Sequence, residues 1–281
     1  SLRTLTMNPI EAILFAIIQG VSELFPISSL GHGILIPDWL HWSLNRTHPD
    51  FLPFMVMLHL GTAAALLLYF RHDWAALIGG FIKARGRADN AEARLMWRLI
   101  AGTIPAGLIG LLLEKQLRIL FGSATAVLVF LALNGLLLLW GERLGKRHAH
   151  MELDQLSIVG AIKIGAGQAL ALLPGISRSG VTLISGLLHG LDHASAARFS
   201  FLLATPIIAA AGVLEIPKLL HAGHAQPWGL LLASAAVAGI CAYASTWFLM
   251  RYFKKTEIES LRPFGLYCLV LGVGGLIAKL V

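Results

Sequence analysis

The chain has 281 residues, of which 57% are hydrophobic and only 13% charged. Soluble domains carry about 25% charged residues, so this composition excludes an ordinary soluble enzyme and implies one polytopic membrane bundle. The net charge of +7 would suggest a nucleic-acid partner in a soluble protein. Here the basic residues lie between apolar spans, where membrane topology and anionic lipid account for them, and no nucleic acid is expected.

Taken in order, Ser1–Thr6 is short and polar without a cleavable-signal pattern and is set apart from the fold. Pro9 to Phe25 is apolar but carries Glu11, Gln19, Ser22 and Glu23. Pro26, Ser28, Ser29 and Gly31 break it, and Ile34 to Leu40 resumes it. This predicts a re-entrant helical hairpin over 8–40 with its broken tip buried in protein, where irregular backbone can survive at bilayer depth. A polar link at 44–49 leads to a first full span, Phe51 to Phe70. Arg71, Lys83, Arg85, Arg87 and Arg94 then form a basic loop around an amphipathic piece from Trp74 to Ile82. Leu95 to Leu113 is a second span, kinked at Pro105, and Ser123 to Trp140 a third. The polar, basic segment from Glu142 to Asp154 divides the chain. A second hairpin is predicted over 156–191, broken at PGISRSG, followed by spans over 194–214, 228–250 and 263–280. Each span has near the 20 apolar residues needed to cross a bilayer.

The expected fold is therefore an all-α integral membrane protein with six transmembrane helices plus two re-entrant hairpins. It divides into two repeats, 7–141 and 155–281. Placing the basic loops at 71–94, 142–154 and 251–262 inside satisfies the positive-inside rule and puts both termini outside. Lys115, Arg118 and Lys218 are then the only cations of the two outside links. Three spans per half is an odd number, so the repeats are inverted and the hairpin tips can meet near the midplane. Ser28, Ser29 and His32 would face Ser177, Arg178 and Ser179. A direct trace of duplication supports this. Moved by 149 positions, Gln19 falls on Gln168, Ile27 on Ile176, Ser28 on Ser177 and Gly31 on Gly180, while Pro26 and Pro174 miss by one.

The chemistry concentrates at the breaks. Arginine at bilayer depth costs roughly 2.5–3.5 kcal/mol on insertion scales, so Arg178 is expected to face a polar cavity. Its planar fork and the backbone N–H groups of a Gly/Ser loop suit phosphate. Glu23 reads as a metal ligand or proton-transfer group against a structural acid. Gln19, one turn earlier on the same face, can orient a substrate oxygen or water. Ser29 and His32 beside Glu23 fit serine-type or water-mediated attack on phosphorus. His59 lies inside a span and reads equally as functional or as a helix–helix hydrogen bond. His148, His150, His189, His193, His221 and His224 read as loop residues, and Trp39, Trp42, Trp140 and Trp228 as interfacial anchors. Cys241 and Cys268 lack metal-ligand spacing, and no nucleotide-binding Gly loop occurs.

At the two breaks the sequence resembles the bacterial undecaprenyl-pyrophosphate phosphatases, the bacitracin-resistance family. The family's (E/Q)xxxE motif stands as Gln19-Gly20-Val21-Ser22-Glu23 and its P-x-S-S-x-G-H run as Pro26 to His32. Its PGxSRSxxT motif stands complete as Pro174 to Thr182. The resemblance covers nearly the whole chain. It implies hydrolysis of a C55 polyprenyl pyrophosphate lipid to the monophosphate carrier of peptidoglycan synthesis, in the inner membrane with the site open to its outer face. It also implies a divalent cation, Mg²⁺ or Ca²⁺. Carried over by position, Glu23 is the motif acid and metal ligand, Ser29 the nucleophile, His32 its acid/base partner and Arg178 the pyrophosphate clamp. Gln19, Ser28, Ser177, Ser179 and Thr182 would bind substrate. Gln19 stands where Glu is frequent, Leu30 where Thr is common and His59 where Gln is usual. Membrane lipids are expected neighbours and a homodimer is left open. A polyprenyl-phosphate flippase or transporter, or a weakly active lipid-binding paralogue, remains an alternative, because inverted repeats with broken helices also characterise transporters.

Overall fold

Apolar runs opened by a capping side chain become helices, and the two predicted hairpins show this first. In the computed structural model, which describes residues 8–43, 51–120, 123–145, 150–220, 227–255 and 260–280, helix α1 (Pro9–Ser22) begins at Asn8. The Asn8 side chain accepts from the Ile10 amide at 2.9 Å, and Pro9 takes the first helical position, where its missing N–H costs nothing. After a five-residue break, α2 (Ser29–Trp39) starts at the cap Ser28. The second hairpin repeats the plan with α7 (Ile158–Gly167), a 3₁₀ segment at Gln168–Leu172, and α8 (Arg178–Leu188), capped at Ser157 and Ser177. Of residues 52, 114–120, 210–215 and 218–220 only the backbone is described. The link at 44–49, His148, His221 and His224, and the side chains of Lys115, Arg118 and Lys218, lie outside what is described.

Every predicted span falls on a helix: α3 (Phe51–Tyr69), α5 (Ala91–Leu120), α6 (Ala124–Gly145), α9 (His193–Leu220), α10 (Trp228–Lys255) and α11 (Arg262–Ala278). The amphipathic piece becomes a helix of its own, α4 (Arg71–Lys83), bent 76° from α3. Pro105 lies within α5 and does not end it. Three helices among the described residues are long and apolar enough to cross a membrane (in α5, α6 and α10), and the bent α3–α4 pair makes a fourth. Among the described residues the only bridge between extended residues is the isolated pair Met151 and Leu191. The chain is an all-α membrane protein.

Packing crosses between the halves. Helix α1 lies on α10, while α7 lies on α5. Both contacts rest on a missing side chain. A methyl added at Gly20 would sit 2.3 Å from the Ala238 carbonyl oxygen, and one at Gly165 would sit 1.9 Å from that of Gly102. Small residues at such crossings are how membrane helices approach without a hydrophobic drive between them. The larger core collects α2, α3, α6, α8 and α9 around Leu66, Leu128, Leu183, Phe199 and Phe201. A smaller one holds Phe15, Phe54 and Leu58 against Leu231. Trp39, Trp140 and Trp228 are exposed near helix ends as expected, whereas Trp42 packs against the smaller core.

Candidate active site

Both hairpin breaks open on one cavity of about 380 Å³. The breaks differ in how they turn. Ser28 adopts a positive φ of 70°, an unusual conformation for a side-chain-bearing residue. The second break places its positive φ, 111°, at Gly175, where a Cβ would also meet the Val127 carbonyl oxygen at 2.5 Å. They end alike. The Ser28 hydroxyl accepts from the Gly31 amide at 3.2 Å, and the Ser177 hydroxyl accepts from the Gly180 amide at 3.2 Å. Each serine caps a helix whose first amides lack an intrahelical acceptor, and these two N-termini make an electropositive floor suited to an anion.

Glu23 is the hub, with only 9% of its surface exposed. Arg178 Nη2 donates to Glu23 Oε1 at 3.1 Å, joining the two breaks. Ser29 Oγ donates to Glu23 Oε2 at 2.5 Å, and Gln19 Nε2 donates to the same oxygen at 3.0 Å. His59 from α3 lies 3.7 Å from Oε2 through its Nε2 and receives the Gln19 amide at 3.3 Å. Arg178 Nη1 is buried without a partner. An unpaired guanidinium nitrogen beside a cavity is a donor reserved for something that enters it. Gln19, Glu23, Ser28, Ser29, Ser177 and Arg178 thus share one cavity with His59, and its remaining wall is apolar, including Met55, Val56, Ile207 and Ile208.

Three predicted residues are placed differently. His32 does not line the cavity; its Nδ1–H donates to the Ser28 carbonyl at 2.8 Å, and its Nε2 lies 2.7 Å from the Tyr267 hydroxyl, against which the ring also stacks. It therefore does not face Arg178, and the hydroxyl of Ser29 bonds to Glu23 instead. Ser179 is fully buried and donates to the Phe25 carbonyl at 3.1 Å. Thr182 Oγ1 back-bonds to the Arg178 carbonyl and pairs with Ser200. Both tie the second hairpin to its surroundings rather than opening on the cavity. Ser179 lies about 100° round α8 from Arg178, whereas Thr182 shares the Arg178 face one turn deeper, where the Arg178 carbonyl and Ser200 occupy its hydroxyl.

Asn134 was missed. From α6 its amide donates to the Pro26 carbonyl at 3.0 Å and its Oδ1 accepts from the Ser177 amide at 2.9 Å, so one side chain pins both breaks. Its signal in the sequence is an amide side chain inside an apolar span; the structure buries it fully. Tyr267, which holds His32, gave no comparable sign.

Among the described residues no three His, Cys, Asp or Glu side chains gather as a metal site. The cavity offers one carboxylate, Glu23. A single carboxylate fits a divalent cation that completes its shell with substrate phosphate oxygens and water.

A family model described as bacitracin resistance protein BacA matches residues 12–274. "Undecaprenyl-diphosphatase 2" of Chromobacterium violaceum is 78% identical over 98% of this chain and all of its own length. The "Undecaprenyl-diphosphatase" of Acidiphilium cryptum is 48% identical over 96% of this chain and 98% of its own. That of Granulibacter bethesdensis is 49% identical over 98% of both chains. The chain belongs to the bacitracin resistance protein BacA family.

Proposed function

We propose that the chain hydrolyses undecaprenyl pyrophosphate to undecaprenyl phosphate and phosphate at the outer face of the bacterial inner membrane, renewing the lipid carrier for peptidoglycan synthesis. The observation that carries this is the joint site: Arg178 from one break, and Ser29 held by Glu23 from the other, meet at a cavity floored by two helix N-termini. Relatives that share nearly the whole chain carry the name undecaprenyl-diphosphatase. About 380 Å³ lies at the small end of ligand pockets. It suits a pyrophosphate head group, with the apolar wall of Met55, Val56, Ile207 and Ile208 taking the first isoprene unit and the bilayer the rest of the tail.

In this reading Arg178 grips the pyrophosphate with its free Nη1, and the amides opening α2 and α8 receive its oxygens. Ser29 Oγ attacks the terminal phosphorus while its proton passes to Glu23 Oε2. The bond from that phosphorus to the bridging oxygen breaks, and undecaprenyl phosphate leaves. Water then releases phosphate from the serine. His32 is better read as a positioning residue that fixes the Ser28 carbonyl and the start of α2 than as the acid/base partner of Ser29. A divalent cation, expected as Mg²⁺ or Ca²⁺, would be held by Glu23 with phosphate oxygens and would neutralise pyrophosphate charge.

The two-repeat, six-span arrangement with inverted halves belongs to the same proposal. Four caps support it: Asn8 and Ser157, like Ser28 and Ser177, lie 149 positions apart. So does the reciprocal packing of α1 on α10 and α7 on α5. With the basic loops inside, this reading has both termini and the mouth of the cavity outside.

Purified protein in detergent should release phosphate from undecaprenyl or farnesyl pyrophosphate, and EDTA should suppress it. A transporter would release none, since detergent leaves no second compartment. No release from folded protein would overturn the hydrolase reading.

A further inference from the structure

We propose that the groove where α5 meets the start of α7 holds an anionic diacyl phospholipid, with Arg94 and Arg98 on its phosphate and an acyl chain along α5. The groove has a volume of about 520 Å³ and shares no lining residue with the cavity between the breaks, so this site stands apart from the hydrolase reading.

The chemistry of the groove changes down one face of α5. Arg94 and Arg98 lie one turn apart with Trp97 beside them. Ala101 and Ile104 continue that face, and Ile158 of α7 forms the opposite wall. Arg94 to Ile104 is a rise of about 15 Å along a helix, and half of a hydrocarbon core of about 30 Å is the same depth. Cations at the top, an indole at their level and branched apolar side chains below match the profile of one lipid leaflet. Trp97 is fixed at that level, because its indole N–H donates to the Gly86 carbonyl at 2.8 Å and its ring meets Phe81 edge-on. Only 22% of the apolar stretch of α5 is buried, against 39% in α6 and 33% in α10. The groove therefore faces acyl chains and not the interior of the bundle.

Charge decides what enters it. Arg94 Nη1 donates to the Ala88 carbonyl at 3.4 Å. Arg98 donates through Nη1 to the Leu153 carbonyl at 3.5 Å and through Nη2 to the Asp154 carbonyl at 3.0 Å. These carbonyls position the guanidinium groups and leave both positive charges standing. Among the described residues no carboxylate forms an ion pair with either arginine. Two acids close by in sequence lie toward α4: Glu92 packs over Gly80, and Asp89 lines a groove with Lys83. Like charges one turn apart on a helix repel, and an anion that bridges them removes the repulsion.

The planar forks of two arginines suit a phosphate, and the apolar wall below them suits the chain attached to it. On the side of the basic loops the leaflet supplies anionic phospholipid. A lipid seated here would brace α5 against α7, the first arm of the hairpin that carries Arg178.

The test titrates purified full-length protein in detergent with phosphatidylglycerol, phosphatidylcholine or undecaprenyl phosphate and counts bound lipid by native mass spectrometry. Phosphatidylglycerol should bind in preference to phosphatidylcholine. Arg94→Gln should weaken it about fivefold, and Arg94→Gln combined with Arg98→Gln about thirtyfold, because each cation beside an anionic headgroup adds a similar increment. Lys83→Gln removes a cation outside the groove and should leave phosphatidylglycerol binding unchanged, as should Arg178→Ala. Thermal melting first shows each variant to be folded. Arg94→Gln gives up only the bond to the Ala88 carbonyl, so it decides the matter by itself where the double variant does not fold. Equal binding of the two phospholipids, full phosphatidylglycerol binding in Arg94→Gln, or an equal loss in Lys83→Gln would overturn the proposal. Undecaprenyl phosphate that binds Arg178→Ala protein in place of phosphatidylglycerol, and is lost when Arg94→Gln is added, would give the groove to the polyprenyl carrier and overturn the phospholipid assignment.

Discussion

The two hairpins share a frame and divide the chemistry. Helix α2 opens at Ser29 and α8 at Arg178, 149 positions apart, and both run for 11 residues. Their caps make the same bond to the third helical amide at the same distance. Yet the first helical position is a hydroxyl in one and a guanidinium in the other. The acid that serves both, Glu23, falls on Leu172 in the second copy, a residue of its 3₁₀ segment. Gln168, which matches Gln19, is buried elsewhere, and its Nε2 reaches the Gly102 carbonyl. The two breaks share a backbone plan and differ in side chains, the first carrying Ser29 and Glu23 and the second the Arg178 guanidinium.

The largest effects should come from breaking the divided pair. Arg178→Ala should lower phosphate release by about 10³-fold or more, because an arginine at a phosphoryl-transfer transition state is worth about 10³–10⁵ in kcat. Ser29→Ala should lower it by about 10²–10³-fold, with residual turnover by water held on Glu23. A progress curve of phosphate release at saturating substrate checks both. Arg178→Ala should also raise KM, whereas Ser29→Ala should act mainly on kcat.

Breaking the seam is the next test. Asn134→Leu leaves the Pro26 carbonyl and the Ser177 amide without their partner. Each unmade buried hydrogen bond costs about 1–3 kcal/mol, so the detergent-solubilised protein should melt at lower temperature and lose turnover together. Retained turnover would show that the breaks hold their spacing without the α6 staple.

How far this was legible in the sequence differs between frame and side chains. Helix positions, both breaks and the bend region at 71–83 follow from apolar runs and from Pro, Gly and Ser punctuation, all of which are local. Arg178 and Glu23 announced themselves by the cost of a charge in an apolar setting. What local reasoning could not give was rotation about the helix axis at a break. Ser29, Ser179, Thr182 and His32 all lie within one turn of a helix start. Only packing against Phe25, Ser200 and Tyr267 decides which of them turn away. Asn134 is 108 residues from Pro26 in the chain, a pairing no short window contains.

Smaller predictions sharpen the comparison. Ser28→Ala and Ser177→Ala each remove an N-cap and should each destabilise by about 1 kcal/mol. Near-equal shifts in melting temperature would confirm equivalent frames, and a large inequality would mean the copies are held differently. Thr182→Val should have the smallest effect on turnover, because that hydroxyl bonds within α8 and to Ser200 rather than opening on the cavity. A loss of turnover like that of Ser29→Ala would return Thr182 to the site.

The most direct measurement compares phosphate release from farnesyl or undecaprenyl pyrophosphate by wild-type, Arg178→Ala and Ser29→Ala proteins, each first shown by thermal melting to be folded. The account predicts rapid release by the wild type and near-complete loss in both variants, one from each hairpin. Near-wild-type release from folded Arg178→Ala would contradict a site shared between the two breaks.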